Sequence, residues 1–312
     1  MIDSWKLEMV TSGDNIGGRL LHFDEADGTT TFADVSGKSW ITYGGAVGDT
    51  DVAILGAGSL LISAATDYID TAHSTDFDFG DSGWTFDFRV RFNVDPTTDS
   101  NSSIFFGELD DVGVGGDGFF CGYNDENIVF EYGIGGVSVW NFSSAWTPAI
   151  NTNYAIRIVK SGSTPYIFID GVSQVVTVNT ALTSSTLPTL ADSAFRIGCA
   201  NIGENVFYNI DEFMYVPGYA LSVDDYTPSV VEYTIADINR VDISSDVHPR
   251  IKADWGITDN KFFDRIASVG EMDLTLINTG GEYSPGHVSC TAGWGLNVPI
   301  LLTLTFDSID YK

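Results

Sequence analysis

Carboxylates are the side chains best placed to do chemistry in this sequence. Of its 312 residues, 43 are Asp or Glu and 14 are Lys or Arg, a formal net charge of −29. Two of the acids, Asp211 and Glu212, stand side by side in FYNIDEFMYVPGYALS, inside an aromatic and apolar run. A glycoside hydrolase needs two carboxylates facing one cleft, about 5–5.5 Å apart in a retaining enzyme. Alternate residues of a strand share a face, so such a pair stands at i, i+2 or i+4. Asp211 and Glu212 are adjacent, which sends them to opposite faces. Glu108-Leu109-Asp110 has the spacing but lies in GELDDVGVGGDG, which reads as a loop, with Gly113 where a third acid would stand. No Gly-x-Ser-x-Gly elbow is present, and the glycine loops lack the strand-to-helix setting of a phosphate cradle. The expectation is a protein that is not an enzyme.

Binding is the alternative use of these groups. Hard cations take clustered carboxylate and carbonyl oxygens. Asp24, Glu25 and Asp27 in HFDEADG, with Asp34 in DVSG, supply such oxygens on loops and point to calcium. The same acids suit Asx turns at strand ends, and spacing does not choose between the two. Asp110, Asp111 and Asp117 form a weaker second set. A glycan site needs exposed aromatics beside polar groups, and Tyr123, Trp140 and Trp146 are the candidates. Aromatics in a sandwich also serve as core and cross-strand pairs. Cys121, Cys199 and Cys290 match no disulfide framework or zinc pattern, and the four histidines show no ligand spacing.

Strands must position these groups. In WTFDFRVRF, Trp84, Phe86, Phe88, Val90 and Phe92 alternate with Thr85, Asp87, Arg89 and Arg91, the pattern of a strand buried on one face. YAIRIVK repeats it. Asp170-Gly171 is the dipeptide of a tight primed turn and predicts a hairpin over Tyr166–Val178. Further strands are predicted at Ser59–Ile62, Ser103–Phe106, Phe119–Tyr123, Ile128–Gly133, Val137–Phe142, Ala194–Cys199 and Asn209–Val216. Ser222–Asp225 resembles a capping box and predicts a one-turn helix before Pro228. Many short strands punctuated by turn residues mean an all-β sandwich or barrel. The rhythm pauses near Pro228, which divides the chain into 1–228 and 229–312. In the second part, EMDLTLIN and VPILLTLTF read as strands. The charge argues against a nucleic-acid partner. MIDSWKLEMV lacks the basic and apolar regions of a signal peptide, and the apolar runs are too short to span a bilayer.

Residues 18–226 resemble the laminin-G-like, concanavalin-A-like jelly rolls of tailed-phage and bacterial surface proteins. LLHFDEADGTTTFADVSG resembles the opening strand and its Asp/Gly loop. NTNYAIRIVKSGSTPYIFIDGV resembles the tail of the central hairpin, with Tyr154-Ala155 where a Trp-His type of start is frequent. FRIGCANIGENVFYNIDEFMYVPGYALSVDDY resembles the closing signature. WGITDNKFFDRIASVGEMDLTLINTGGEYSPGH and GLNVPILLTLTF resemble a β domain of siphophage tail-associated proteins, with Pro299-Ile300 at its last strand. The chain stops where more strands are expected, so the domain is either shortened or completed by a partner's strand. The resemblance implies an antiparallel jelly-roll sandwich followed by a smaller β domain that docks onto a tail. It implies a virion component made in host cytoplasm, partnered by tail proteins and by copies of itself, with the sandwich turned to a host-surface glycan. It also implies that Asp211 lies by the opening strand and joins the calcium set. The alternative is a calcium-dependent, lectin-like module of a bacterial surface protein.

Overall fold

The alternation in WTFDFRVRF becomes the strand Gly83–Phe92, and Trp84, Phe86, Phe88, Val90 and Phe92 are all fully buried. The computed structural model describes residues 19–79, 83–97, 103–109, 117–183, 187, 190, 193–198, 207–218 and 220–234, and strands at 4–10, 240–242, 252–254, 271–273, 300–306 and 309–311. Every predicted strand of the first part is present, most of them longer than its pattern: Ser103–Leu109, Gly118–Asn124, Asn127–Ile134, Val137–Ala145 and Tyr208–Gly218. Cys121 is a buried free thiol, and Cys199 and Cys290 lie outside the described residues.

The strands form two antiparallel sheets. One runs in the order Thr177–Thr180, Val137–Ala145, Asn127–Ile134, Gly118–Asn124, Ser103–Leu109, Phe195–Gly198, Tyr68–Thr71, Ser39–Tyr43, Thr31–Ala33, nine strands in all. The other has eight strands, with Asn153–Ser161, Gly83–Phe92 and Tyr208–Gly218 at its centre. Their inner faces meet ring on ring. Phe86 lies 4.3 Å from Phe106, and Trp84 lies 6.0 Å from Trp140, measured between centroids. Such pairs add about 0.5–1.5 kcal/mol each beyond the area they bury. The fold is the expected all-β jelly-roll sandwich with a second, smaller β unit.

The Asp170-Gly171 turn forms, with φ of 51° and 79° as a type I′ turn requires. The predicted hairpin is cut short, however. Its second arm is the two residues Val172–Ser173, after which Thr177–Thr180 crosses to pair with Val137–Ala145 in the other sheet. The one-turn helix is not formed. Ser222 Oγ accepts from Asp224 N and donates to Asp224 O, closing a polar turn in place of a helix cap. Among the described residues the one helical element is the 3-10 turn Thr75–Phe77, and no helix is long and apolar enough to cross a membrane.

The domain division differs from the expected one. The sandwich unit is Ile16–Ile238, and the second unit combines Met1–Asn15 with Asn239–Lys312. Strand Ser4–Val10 pairs with Arg240–Asp242 on one side and Ile300–Phe306 on the other. Ile309–Tyr311 takes the far edge of Ile300–Phe306. Both neighbours of that strand therefore come from this chain, where the expectation was either a shortened domain or one completed by a partner's strand. A division drawn where the rhythm pauses near Pro228 follows chain order, and local sequence does not report that Ser4–Val10 pairs more than 200 residues away. Strand Lys252–Asp254 pairs with Glu271–Asp273, the described part of EMDLTLIN.

Candidate functional site

The three aromatics expected to meet a glycan are in the core. Trp140 is fully buried, Tyr123 is 1% exposed and Trp146 is 8% exposed. Trp140 packs on Phe142 at 4.7 Å and on Phe130 at 5.6 Å. Tyr123 lies 5.5 Å from Phe92 and 5.9 Å from Trp146. Their ring faces are covered by other rings, so none can stack on a sugar. The Trp140 indole N–H and the Tyr123 hydroxyl are buried and find no partner among the described residues.

The four carboxylates expected to hold calcium do not assemble. Asp34 closes its own Asx turn, accepting from Ser36 N at 2.9 Å and Lys38 N at 3.1 Å. Asp27 is exposed on the turn before Gly28. Asp24 accepts from the backbone of Ala57 and Gly58. Asp211 is fully buried and accepts from Leu55 N and Glu212 N, both at 2.8 Å. Asp24 acts electrostatically on Asp211, so those two do share a neighbourhood. Among the described residues no three His, Cys, Asp or Glu side chains are placed to hold an ion. Of the second acidic set, Asp117 accepts from Gly135 N, and Asp110 and Asp111 lie outside the described residues.

Of the adjacent pair Asp211 and Glu212, Glu212 ties a strap, residues 226–233, to the sandwich. The strand Tyr208–Gly218 shifts register between Asp211 and Met214, and Glu212 takes φ 48°. That break defeats the alternation rule, and both acids are fully buried. Glu212 Oε1 accepts from His22 Nδ1 at 2.6 Å, and Oε2 accepts from Tyr233 N at 2.9 Å. The hydrogen bond to Glu212 raises the His22 pKa. Burial pushes Asp211 up to about 8 despite its two amide donors. Further along, Asp87 is fully buried, 2.7 Å from Arg89 and 2.6 Å from Arg157, and accepts from the Tyr233 hydroxyl at 3.1 Å. The Tyr226 ring lies 3.6 Å from the Arg157 guanidinium. Asp87 and Arg89 of WTFDFRVRF, expected to face solvent, are thus covered by residues 226–233. Tyr226 N donates to Gly171 O, where a side chain in place of the glycine would strike the Tyr226 carbonyl.

The outer face of the nine-stranded sheet is different. Directly opposed residues of paired strands share a face. The pairings Thr31–Ile41, Ile41–Asp70, Asp70–Arg196, Arg196–Gly107, Gly107–Phe120, Phe120–Glu131, Glu131–Asn141 and Asn141–Thr180 join one residue of each of the nine strands into a single row. Apart from Gly107, every member is exposed or half-buried. At one end Tyr43 stacks on Tyr68, with centroids 4.5 Å apart and planes 6° from parallel. The Arg196 guanidinium lies 5.0 Å from the Tyr68 ring centre. Burial raises the pKa of Asp70, opposed by Arg196. Tyr43 is 41% exposed and Ile41 57% exposed. At the other end Asn141 Nδ2 donates to Glu131 at 3.0 Å, and Asn179 donates to Asn141 at 2.9 Å. This surface offers solvent-accessible aromatic rings beside polar side chains, the pairing a ligand with both C–H and O–H groups requires. Strand Ser39–Tyr43 was not among the predicted strands. The available signal was SWITY, where Ile41 and Tyr43 stand at the parity opposite to Trp40.

No protein-family model matches the chain, and no curated protein matches it. Among solved structures, it is similar to the binding domain of Paraclostridial Mosquitocidal Protein 1, at 14% identity and a TM-score of 0.48, over 65% of this chain and 50% of that one. It is similar to the binding domain of botulinum neurotoxin serotype G, at 13% identity and a TM-score of 0.46, over 69% of this chain and 48% of that one. It is also similar to a Trypanosoma rangeli sialidase, at 13% identity and a TM-score of 0.45, over 71% of this chain and 31% of that one. The chain therefore spans about half the length of the two toxin binding domains.

Proposed function

We propose that the sandwich is a non-catalytic attachment module that binds a surface glycan on the outer face of its nine-stranded sheet. The observation that carries this reading is the cluster of Tyr43, Tyr68, Arg196 and Asp70, an exposed aromatic stack flanked by a cation and an acid. A non-catalytic role is supported by the engagement of the buried acids Asp211 and Glu212 with backbone amides and His22. The test is a glycan array probed with the native protein and with Tyr43→Ala and Arg196→Ala. Binding that both substitutions abolish, with the melting temperature retained, supports the reading; an array with no bound glycan ends it.

The chain would act as a component of a phage tail or tail tip. The resemblance of the Trp255–Phe306 region to tail-associated β domains supports this. So does the placement of the sandwich as an insertion between two strands of the second unit, which suits a module carried by a scaffold. Its partners would be other tail proteins and further copies of the chain, and its location the virion. Light scattering tests the assembly: a monomer at high concentration, with no partner, counts against it.

A further inference from the structure

We infer that the glycan is a linear, uncharged polysaccharide lying across the strands and held along several consecutive sugars. This rests on the glycan-binding reading above and specifies its ligand. The row from Arg196 to Asn141 crosses five neighbouring strands. Four strand spacings of about 4.8 Å give roughly 19 Å. A pyranose ring is about as wide as one spacing, so one terminal sugar would use a small part of the row. The groups suited to sugars stand at separated points. The tyrosine stack and Arg196 lie at one end, Phe120 in the middle, and the Glu131–Asn141–Asn179 hydrogen-bonded chain at the other. Gly107 puts no side chain between Arg196 and Phe120. Charge selects against polyanions: the chain carries −29, and Asp70 and Glu131 sit in the row itself.

The test is calorimetric titration with cello-, manno- and chito-oligosaccharides of one to six sugars, with a sulfated polymer alongside. Expected is an affinity that rises at least tenfold between two and five sugars in the series that binds. Both Tyr43→Ala and Asn179→Ala should weaken the longest oligomer, and Asn179→Ala should leave the disaccharide unchanged. Ile41→Asn probes the tyrosine end if Tyr43→Ala lowers the melting temperature. Affinity that levels off at one or two sugars, or that responds to the tyrosine end alone, overturns the extended track and leaves glycan binding standing. Tighter binding of the sulfated polymer overturns the uncharged ligand. No binding of any oligosaccharide, together with an empty array, ends both readings.

Discussion

On the eight-stranded sheet, the outward residues Asp87, Arg89 and Arg157 lie under residues 226–233, whereas on the nine-stranded sheet Asp70, Arg196 and Glu131 remain exposed or half-buried. Each set combines acids, arginines and tyrosines. Cover decides what they do. Beneath the strap, each charge must be paired, because an unpaired buried charge costs several kcal/mol. Across the open face, a pair contributes about 0–1 kcal/mol and its side chains stay available to a ligand. The arginine–tyrosine contacts of the covered face hold residues 226–233 down, and the Arg196–Tyr68 contact of the open face belongs to a platform.

Substitutions on the two faces should therefore separate stability from binding. Asp87→Ala is expected to have the largest effect. It strands two arginines and should cost about 3–5 kcal/mol, read by urea unfolding, with glycan affinity of the folded fraction unchanged. Trp140→Ala should cost a similar 3–5 kcal/mol by opening the core, again without a specific loss of binding. A loss of glycan affinity alone would put Trp140 at the surface and refute its burial. Tyr43→Ala should change stability by no more than about 0.5–1.5 kcal/mol through the lost stack, yet remove binding.

pH should also act, through buried groups of both sheets. Burial raises Asp211 and Glu108 to about 8, and the hydrogen bond to Glu212 raises His22. All three folded values lie above the unfolded ones, so all three act with the same sign. The stability they contribute is fully present below the unfolded values of 3.8, 4.5 and 6.5 and is lost as pH climbs through the folded values. The melting temperature should therefore fall between about pH 4 and 8, and Glu108→Gln should flatten part of that fall. The smallest effect is expected from calcium. Asp34, Asp24 and Asp211 already accept backbone donors, so added calcium should leave the melting temperature within a degree. A clear rise would reopen those acids as ligands.

Much of the sandwich was legible because its strands carry a local period. WTFDFRVRF announced its buried face, and Asp170-Gly171 announced a primed turn. What periodicity misses is whatever covers a face. Thr85, Asp87 and Arg89 read as solvent-facing because nothing local reveals that Tyr226 and Tyr233 lie over that sheet. Trp140 and Tyr123 are legible as aromatics of strands but not as core or surface, and the packing of the two sheets decides for the core. Tyr43 and Tyr68 were missed because they become neighbours only when two separate strands pair. Asp211 and Glu212 escaped the alternation rule through a register shift that the sequence does not signal.

The pairing of Ser4–Val10 with Arg240–Asp242 and Ile300–Phe306 bears on the order of events during synthesis. At ~5–20 residues per second, the ribosome needs roughly 15–60 s to deliver the strand that ends at Phe306 after Ser4 emerges. The sandwich is complete before then and can fold as a unit, while the first strand stays without its neighbours. Its unpaired edge is a target for chaperones or for another nascent chain throughout that interval. Slower elongation should raise the aggregated fraction of the full chain and spare a sandwich expressed by itself.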